Sequence, residues 1–271
     1  MALSQQPASQ QSVSQEKKAQ QFRALHQGGC FVMPNPWDAG SARLLEGMGF
    51  MALATSSGAA AGVLGRKDGQ ISREESLAHA RAIVIATDLP VAADLEKGFG
   101  DTARDAALTI RLAGEVGLVG GSIEDSSGNQ DAPIFDFGLA VERVTAAAEA
   151  ARALPFAFTF TARCENFLRG KPDLDDTIRR LQAYEKAGAD VLFAPALPDI
   201  ETVRLVCSAL SKPFNFMVGI KGKSFSVQQL EAAGVRRISL ATSLYRAAMA
   251  GLRSAAEEVR ADGSFGYLDR L

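Results

Sequence analysis

The chain has 271 residues, 47% of them hydrophobic and 22% charged. That is an ordinary globular balance, long enough to bury a core without staples. A formal net charge of −2, with both signs interspersed, excludes the basic footprint of a nucleic-acid binder.

The 1–15 segment is Gln- and Ser-rich and lacks the basic and apolar regions of a secretory signal. It is expected to be a flexible tail ahead of one catalytic domain over 16–271. A helix is expected over 14–27. Its His26, and His79 further on, are expected on helix surfaces without a catalytic role. Cys30, Cys164 and Cys207 are far apart and odd in number. They read as reduced thiols of a cytoplasmic protein, not as a disulfide or zinc framework. No run approaches the roughly eighteen apolar residues of a membrane span.

Eight short apolar runs follow, at 30–35, 50–56, 90–96, 117–125, 156–165, 190–197, 213–219 and 236–242. Each is bounded by Gly, Pro or charge, as a buried parallel strand should be. Longer amphipathic segments alternate with them. Those at 72–87 and 102–117 open with the N-cap residues Ser72 and Thr102. The segment at 173–189 stops at Gly188. A last helix is expected over 243–260. Strict alternation of this kind predicts a (β/α)8 TIM barrel. No GxGxxG or GxxxxGK[ST] follows the first run, which counts against an open doubly wound sheet.

Barrel enzymes carry their chemistry at the C-terminal strand ends. Acids gather there on three consecutive runs: Asp94 and Glu96, then Glu124 and Asp125, then Glu165 beside Arg163. In Asp94-Leu95-Glu96 the two acids are expected on one side of the strand, facing the mouth. Converging carboxylates repel unless a cation or protons compensate. Oxygen ligands without His or Cys suit a hard cation, Mg²⁺ or Mn²⁺. Singly, each acid could equally be a loop cap or an ion-pair partner. Cys164, alternating with Arg163, is expected to pack against the helices. Asn215, on the seventh run, is expected to face the substrate.

The combination TSSG…GRKDG, PVAADLEKGFG, GSIED and FTARCENF, in that order, resembles the isocitrate lyase/phosphoenolpyruvate mutase superfamily. The resemblance spans 34–252. It implies a Mg²⁺-dependent barrel whose last helix is swapped between subunits of a homodimer or homotetramer. It implies Asp94 as the principal metal carboxylate, with Glu96, Glu124 and Asp68 around the metal. Ser56, Ser57 and Gly58 would hold the substrate carboxylate and Arg163 its oxygens. Ser56, Arg163 and Glu124 are then the candidate catalytic residues. The implied activity is a lyase or decarboxylase on a small 2-oxo or 2-hydroxy dicarboxylate, working through an enolate.

Three departures narrow that activity. The stretch SSGNQDAPIFDF, where the lyases carry a gating loop with Lys, Cys and His, has none of these. Pro195 stands where the lyases have Glu, and Ala54-Thr55-Ser56 replaces the mutases' Trp-Gly-Ser. A phosphonate P–C bond enzyme and a non-catalytic 2-oxo acid binder are the alternatives. The partner in each case is a small carboxylate, not nucleic acid or membrane.

Overall fold

The computed structural model describes residues 13–270. Most of the 1–15 tail lies outside these residues. Gln15 itself belongs to the first helix, α1 (Gln15–Leu25), which Ser14 caps.

Eight strands follow in order: β1 (Phe31–Met33), β2 (Leu53–Ala54), β3 (Val91–Asp94), β4 (Gly120–Glu124), β5 (Thr159–Arg163), β6 (Val191–Phe193), β7 (Phe214–Met217) and β8 (Arg237–Ser239). All pair in parallel, in the sheet order β1-β8-β7-β6-β5-β4-β3-β2. The β1–β2 seam is closed by the Ala54 amide donating to Pro34 O at 3.1 Å. Asn35 ties the end of β1 to both neighbours: its Nδ2 donates to Thr55 O beyond β2, and its Oδ1 accepts from the Leu240 amide beyond β8. The result is the expected (β/α)8 barrel.

Helices α2 (Ala39–Gly47), α3 (Ser57–Val63), α4 (Arg73–Ala86), α5 (Ala103–Glu115), α6 (Phe137–Arg152), α7 (Leu174–Ala187), α8 (Ile200–Ser208) and α9 (Val227–Ala232) ring the strands. Asp38, Ser72, Thr102 and Ser226 start α2, α4, α5 and α9 with reciprocal capping boxes. Each box satisfies two amides that a helix start leaves unpaired. Gly188, at φ 109°, ends α7 in the left-handed conformation.

The main core lies between strands and helices, with Leu53, Val91, Leu118, Ile123 and Phe160 in it. A second cluster sits at the barrel floor. There α1 plugs the N-terminal strand ends, with Phe22 packed on Phe31, Ala92 and Val119. A Cβ on Gly120 would stand 2.7 Å from the Phe22 ring and 2.9 Å from Thr159 O, so the plug needs glycine there. Burying one phenylalanine in this way is worth about 2–3 kcal/mol.

The plug corrects the surface assignment of His26. It is 8% exposed, its ring lies edge-on to Phe22 and Phe31, and it caps α1 from inside. His79 is half-buried and holds Trp37 O through Nε2 at 2.8 Å. The last helix, α10 (Ser243–Asp262), buries none of its side chains.

Candidate active site

Strand pleating sorts the acids at the mouth. Along β4 the side chains alternate, so Glu124 turns inward and Asp125 outward. Asp125 is buried between α7 and the end of β5: Tyr184 Oη donates to it at 2.6 Å, Arg180 lies at 3.4 Å, and the Glu165 amide donates at 2.8 Å. It is a structural acid. Cys164 is fully buried in the core, as its alternation with Arg163 predicts.

Inside the mouth, Arg163 is the centre of a carboxylate cluster. Its Nε donates to Glu165 Oε1. Glu124 Oε2 lies 3.5 Å from Nε and Asp94 Oδ1 lies 3.8 Å from Nη1. Its guanidinium stacks over Phe193, 4.9 Å from the ring centre. Burial alone would lower the Arg163 pKa, but Glu165, Glu124 and Asp94 outweigh it and raise it.

The acids respond in turn. Burial and the neighbouring Glu165 push Glu124 up to about 8, against the pull of Arg163. Burial, then Asp94 and Asp68, push Glu96 up to about 7. Glu96 departs from the expected geometry. β3 ends at Asp94, and Glu96 lies beyond it at φ 50°. It reaches the mouth from a turn and not by strand alternation. Its Oε1 is buried without a hydrogen-bond partner among the described residues.

Asp94 is held from two sides. Ser57 donates to Oδ2 through Oγ at 3.0 Å and through its amide at 3.4 Å, and the Glu96 amide reaches Oδ1 at 3.3 Å. Ser56 caps α3, accepting from the Ala59 amide at 3.4 Å. Gly58 lies under the exposed 65–70 turn. A Cβ there would stand 3.3 Å from Asp68 Oδ2 and 2.8 Å from Thr242 Cγ2. Asp68, Ser56, Ser57, Gly58, Asp94, Glu96, Glu124 and Arg163 thus share one rim. Asn215 sits in the barrel interior below it, bonded to Ser239 and Arg237.

Two members of the cluster receive no metal, substrate or catalytic role from the sequence, although Glu165 stands among its strand-end acids. Glu165 is fully buried, and Arg169 bridges it at 3.0 Å to Glu124 at 3.2 Å. The signal was present: Arg163 and Glu165 alternate, and Arg169 follows Glu165 by four residues.

The 126–135 loop folds on itself. Ser126 and Ile134 form an antiparallel bridge, Ser127 Oγ donates to Ala132 O, and Asn129 Oδ1 accepts from the Asp131 amide. Lys97 Nζ ties it to the β3–α5 connection through Ser127 O at 2.7 Å.

Among the described residues, no three acids, histidines or cysteines are gathered into a ready cation cage. The donor set still fits a hard cation. Mg²⁺ binds through one or two carboxylates and keeps water in its shell. The orphaned Glu96 oxygen and the raised acids are what such a charge would relieve.

A phosphoenolpyruvate phosphomutase family model matches residues 22–260. The chain is 30% identical to the 2-methylisocitrate lyase of Escherichia coli K12 over 232 residues, 82% of this chain and 76% of that protein. A protein of Burkholderia cenocepacia J2315 described provisionally as a lyase/mutase superposes with a TM-score of 0.93 at 51% identity, covering 95% of this chain and 92% of that one. The 2,3-dimethylmalate lyase structure superposes at 0.84 with 27% identity, over 92% and 89% of the two chains. The chain therefore belongs to the phosphoenolpyruvate phosphomutase family, within the isocitrate lyase/phosphoenolpyruvate mutase superfamily.

Proposed function

We propose that the chain is a Mg²⁺-dependent lyase acting on a small 2-oxo or 2-hydroxy dicarboxylate through an enolate. The observation that carries this reading is the convergence of Asp94, Glu124 and Glu165 on Arg163 at the barrel mouth. Asp94 would hold the cation, with Glu96, Glu124 and Asp68 around it. When bound, the cation would supply a fixed positive charge at the substrate's keto and carboxylate oxygens. Mn²⁺ offers the same chemistry.

The chain's own groups divide the rest. The Ser56–Gly58 turn would receive the substrate carboxylate. Arg163, locked by carboxylates and the Phe193 ring, would meet the negative charge that develops when the bond at C3 breaks. Its orientation is fixed before the substrate arrives, so little reorganisation is needed. Glu124 would serve as the proton-transfer group, its proton affinity set by burial and Glu165.

The names of the curated and structural relatives, 2-methylisocitrate lyase and 2,3-dimethylmalate lyase, support carbon–carbon cleavage. The family model's own name supports phosphonate P–C chemistry as the second reading. Against it, the Ser127 and Asn129 side chains are engaged within their own loop. Three free thiols favour a cytoplasmic setting. On α10, Met249, Leu252 and Val259 lie exposed on one face, which favours a homo-oligomer with that helix exchanged. Light scattering that finds a monomer would exclude the exchange.

Oxalate mimics an enolate, so its binding with Mg²⁺ and with EDTA tests the site. Metal-dependent binding followed by turnover of oxaloacetate or 2-methylisocitrate supports the lyase. Turnover of phosphonopyruvate alone favours the second reading, and binding without turnover favours a sensor. No metal-dependent binding removes all three.

A further inference from the structure

One buried cation in the barrel pairs with no acid among the described residues. Arg237 opens β8 and is 4% exposed. Its Nε donates to Asn215 Oδ1 at 2.8 Å and its Nη2 to Thr161 Oγ1 at 3.0 Å. Its Nη1 lies 3.3 Å from His26 Nε2. All three partners are neutral. His26 Nδ1 faces Phe22 O at 2.8 Å. A carbonyl only accepts and a guanidinium only donates, so Nδ1 carries the proton and Nε2 is bare. Burial, then the Arg237 charge, holds the His26 pKa at about 3, so the ring stays neutral.

The contrast with the other barrel arginine is sharp. Arg163, two residues past Thr161 on the same strand, has three carboxylates around it. Arg237 forms no ion pair among the described residues, and burial alone lowers its pKa to about 9. A charge taken out of water without a counter-charge is costly.

The surroundings are rich in unspent donors. A guanidinium has five N–H groups, and three of Arg237's are engaged. Thr161 Oγ1 accepts from Arg237, and Ser239 Oγ accepts from Asn215 Nδ2 at 3.1 Å. Among the described residues neither hydroxyl donates to a protein acceptor, so both protons are available. Arg237, Thr161, Ser239, Asn215 and Ser122 line the deep end of the cavity whose upper end is lined by Ser56, Asp94 and Arg163. At that end the unspent groups are donors, which suits a small inorganic anion.

We propose that the barrel interior below the catalytic rim binds a small monovalent inorganic anion of the chloride class, held by Arg237 with the Thr161 and Ser239 hydroxyls. The anion supplies the missing counter-charge. It stabilises the folded chain through Arg237, and the proposal does not rest on the lyase reading although the two sites share one cavity.

The test uses the full chain in two measurements. Crystals grown in bromide are examined for anomalous density. Thermal unfolding is followed against chloride and bromide, with a bulky sulfonate that carries no carboxylate holding ionic strength constant. A bromide peak within contact of Arg237, Thr161 and Ser239 is expected. The unfolding temperature should rise with halide as expected for a ligand of the native state. Thr161→Val removes one donor to the anion and should raise the half-saturating halide concentration roughly tenfold. Arg237→Met should abolish the dependence, and Thr161→Val carries the test if that variant does not fold. Water alone in the cavity, a halide-independent wild-type transition, or an unchanged response in Thr161→Val would each overturn the proposal.

Discussion

Ser57 fixes Asp94: its hydroxyl and its amide reach the same carboxylate oxygen, at 3.0 and 3.4 Å. The loop after β2 thereby sets the orientation of the acid that ends β3. Asp94→Ala should abolish Mg²⁺-dependent oxalate binding. Ser57→Ala should keep it with about tenfold lower affinity, the worth of one hydrogen bond to a charge. Calorimetry with and without EDTA reads both. Undiminished Mg²⁺-dependent affinity in Asp94→Ala would remove Asp94 from the metal site.

Arg163 is expected to matter for folding as well as for binding. The motif alone suggests a variant that binds poorly and folds normally. Its burial among Asp94, Glu124 and Glu165 says otherwise. Arg163→Ala should lower unfolding free energy by about 3–5 kcal/mol, because it leaves buried carboxylates uncompensated. Adding Glu165→Gln should recover part of that loss. Urea unfolding of the single and double variants checks the coupling, and an additive result would exclude it.

Gly58 is required by a close approach. An added Cβ would meet Thr242 Cγ2 at 2.8 Å. Gly58→Ala should cost about 1–3 kcal/mol through overpacking. Thr242→Ser in the same chain removes the clashing methyl and should restore most of it. Denaturant midpoints of the two variants decide the matter, and a neutral Gly58→Ala would show that the rim yields.

His26 should make the fold acid-sensitive. Its pKa is near 3 when folded, against an ordinary 6.5. Above pH 6.5 the ring is neutral in both states and contributes no pH dependence. Between 6.5 and 3 the unfolded chain takes up a proton that the folded chain refuses. Stability therefore falls with pH across that window, by about 1.4 kcal/mol per unit at most. His26→Gln keeps an acceptor for Arg237 and should flatten this part of the profile. A profile unchanged by the substitution would show that other groups carry the acid sensitivity.

The barrel and most of the rim were legible in the chain itself. Eight apolar runs with capped helices between them leave few other ways to bury both faces of each strand. The acids Asp94 and Glu124 and the cation Arg163 stand at strand ends, where a charge can only face the mouth or the helices. Period-two alternation then separates Glu124 from Asp125 and Arg163 from Cys164.

Only the tertiary structure decided what depends on groups far apart in sequence. Glu96 reaches the mouth through a left-handed turn that strand alternation does not foresee. Arg169 joins the cluster because the β5–α7 connection folds back over Glu124. His26 looks like a helix-end surface residue until α1 is seen to plug the floor, 211 positions from the Arg237 it touches. Arg237 itself reads as one of two adjacent basic residues, Arg236 and Arg237, on a short strand. Sequence fixes which side chains alternate along an element. Whether a buried charge finds a partner is settled by where the neighbouring elements place theirs, and among the described residues none forms an ion pair with Arg237.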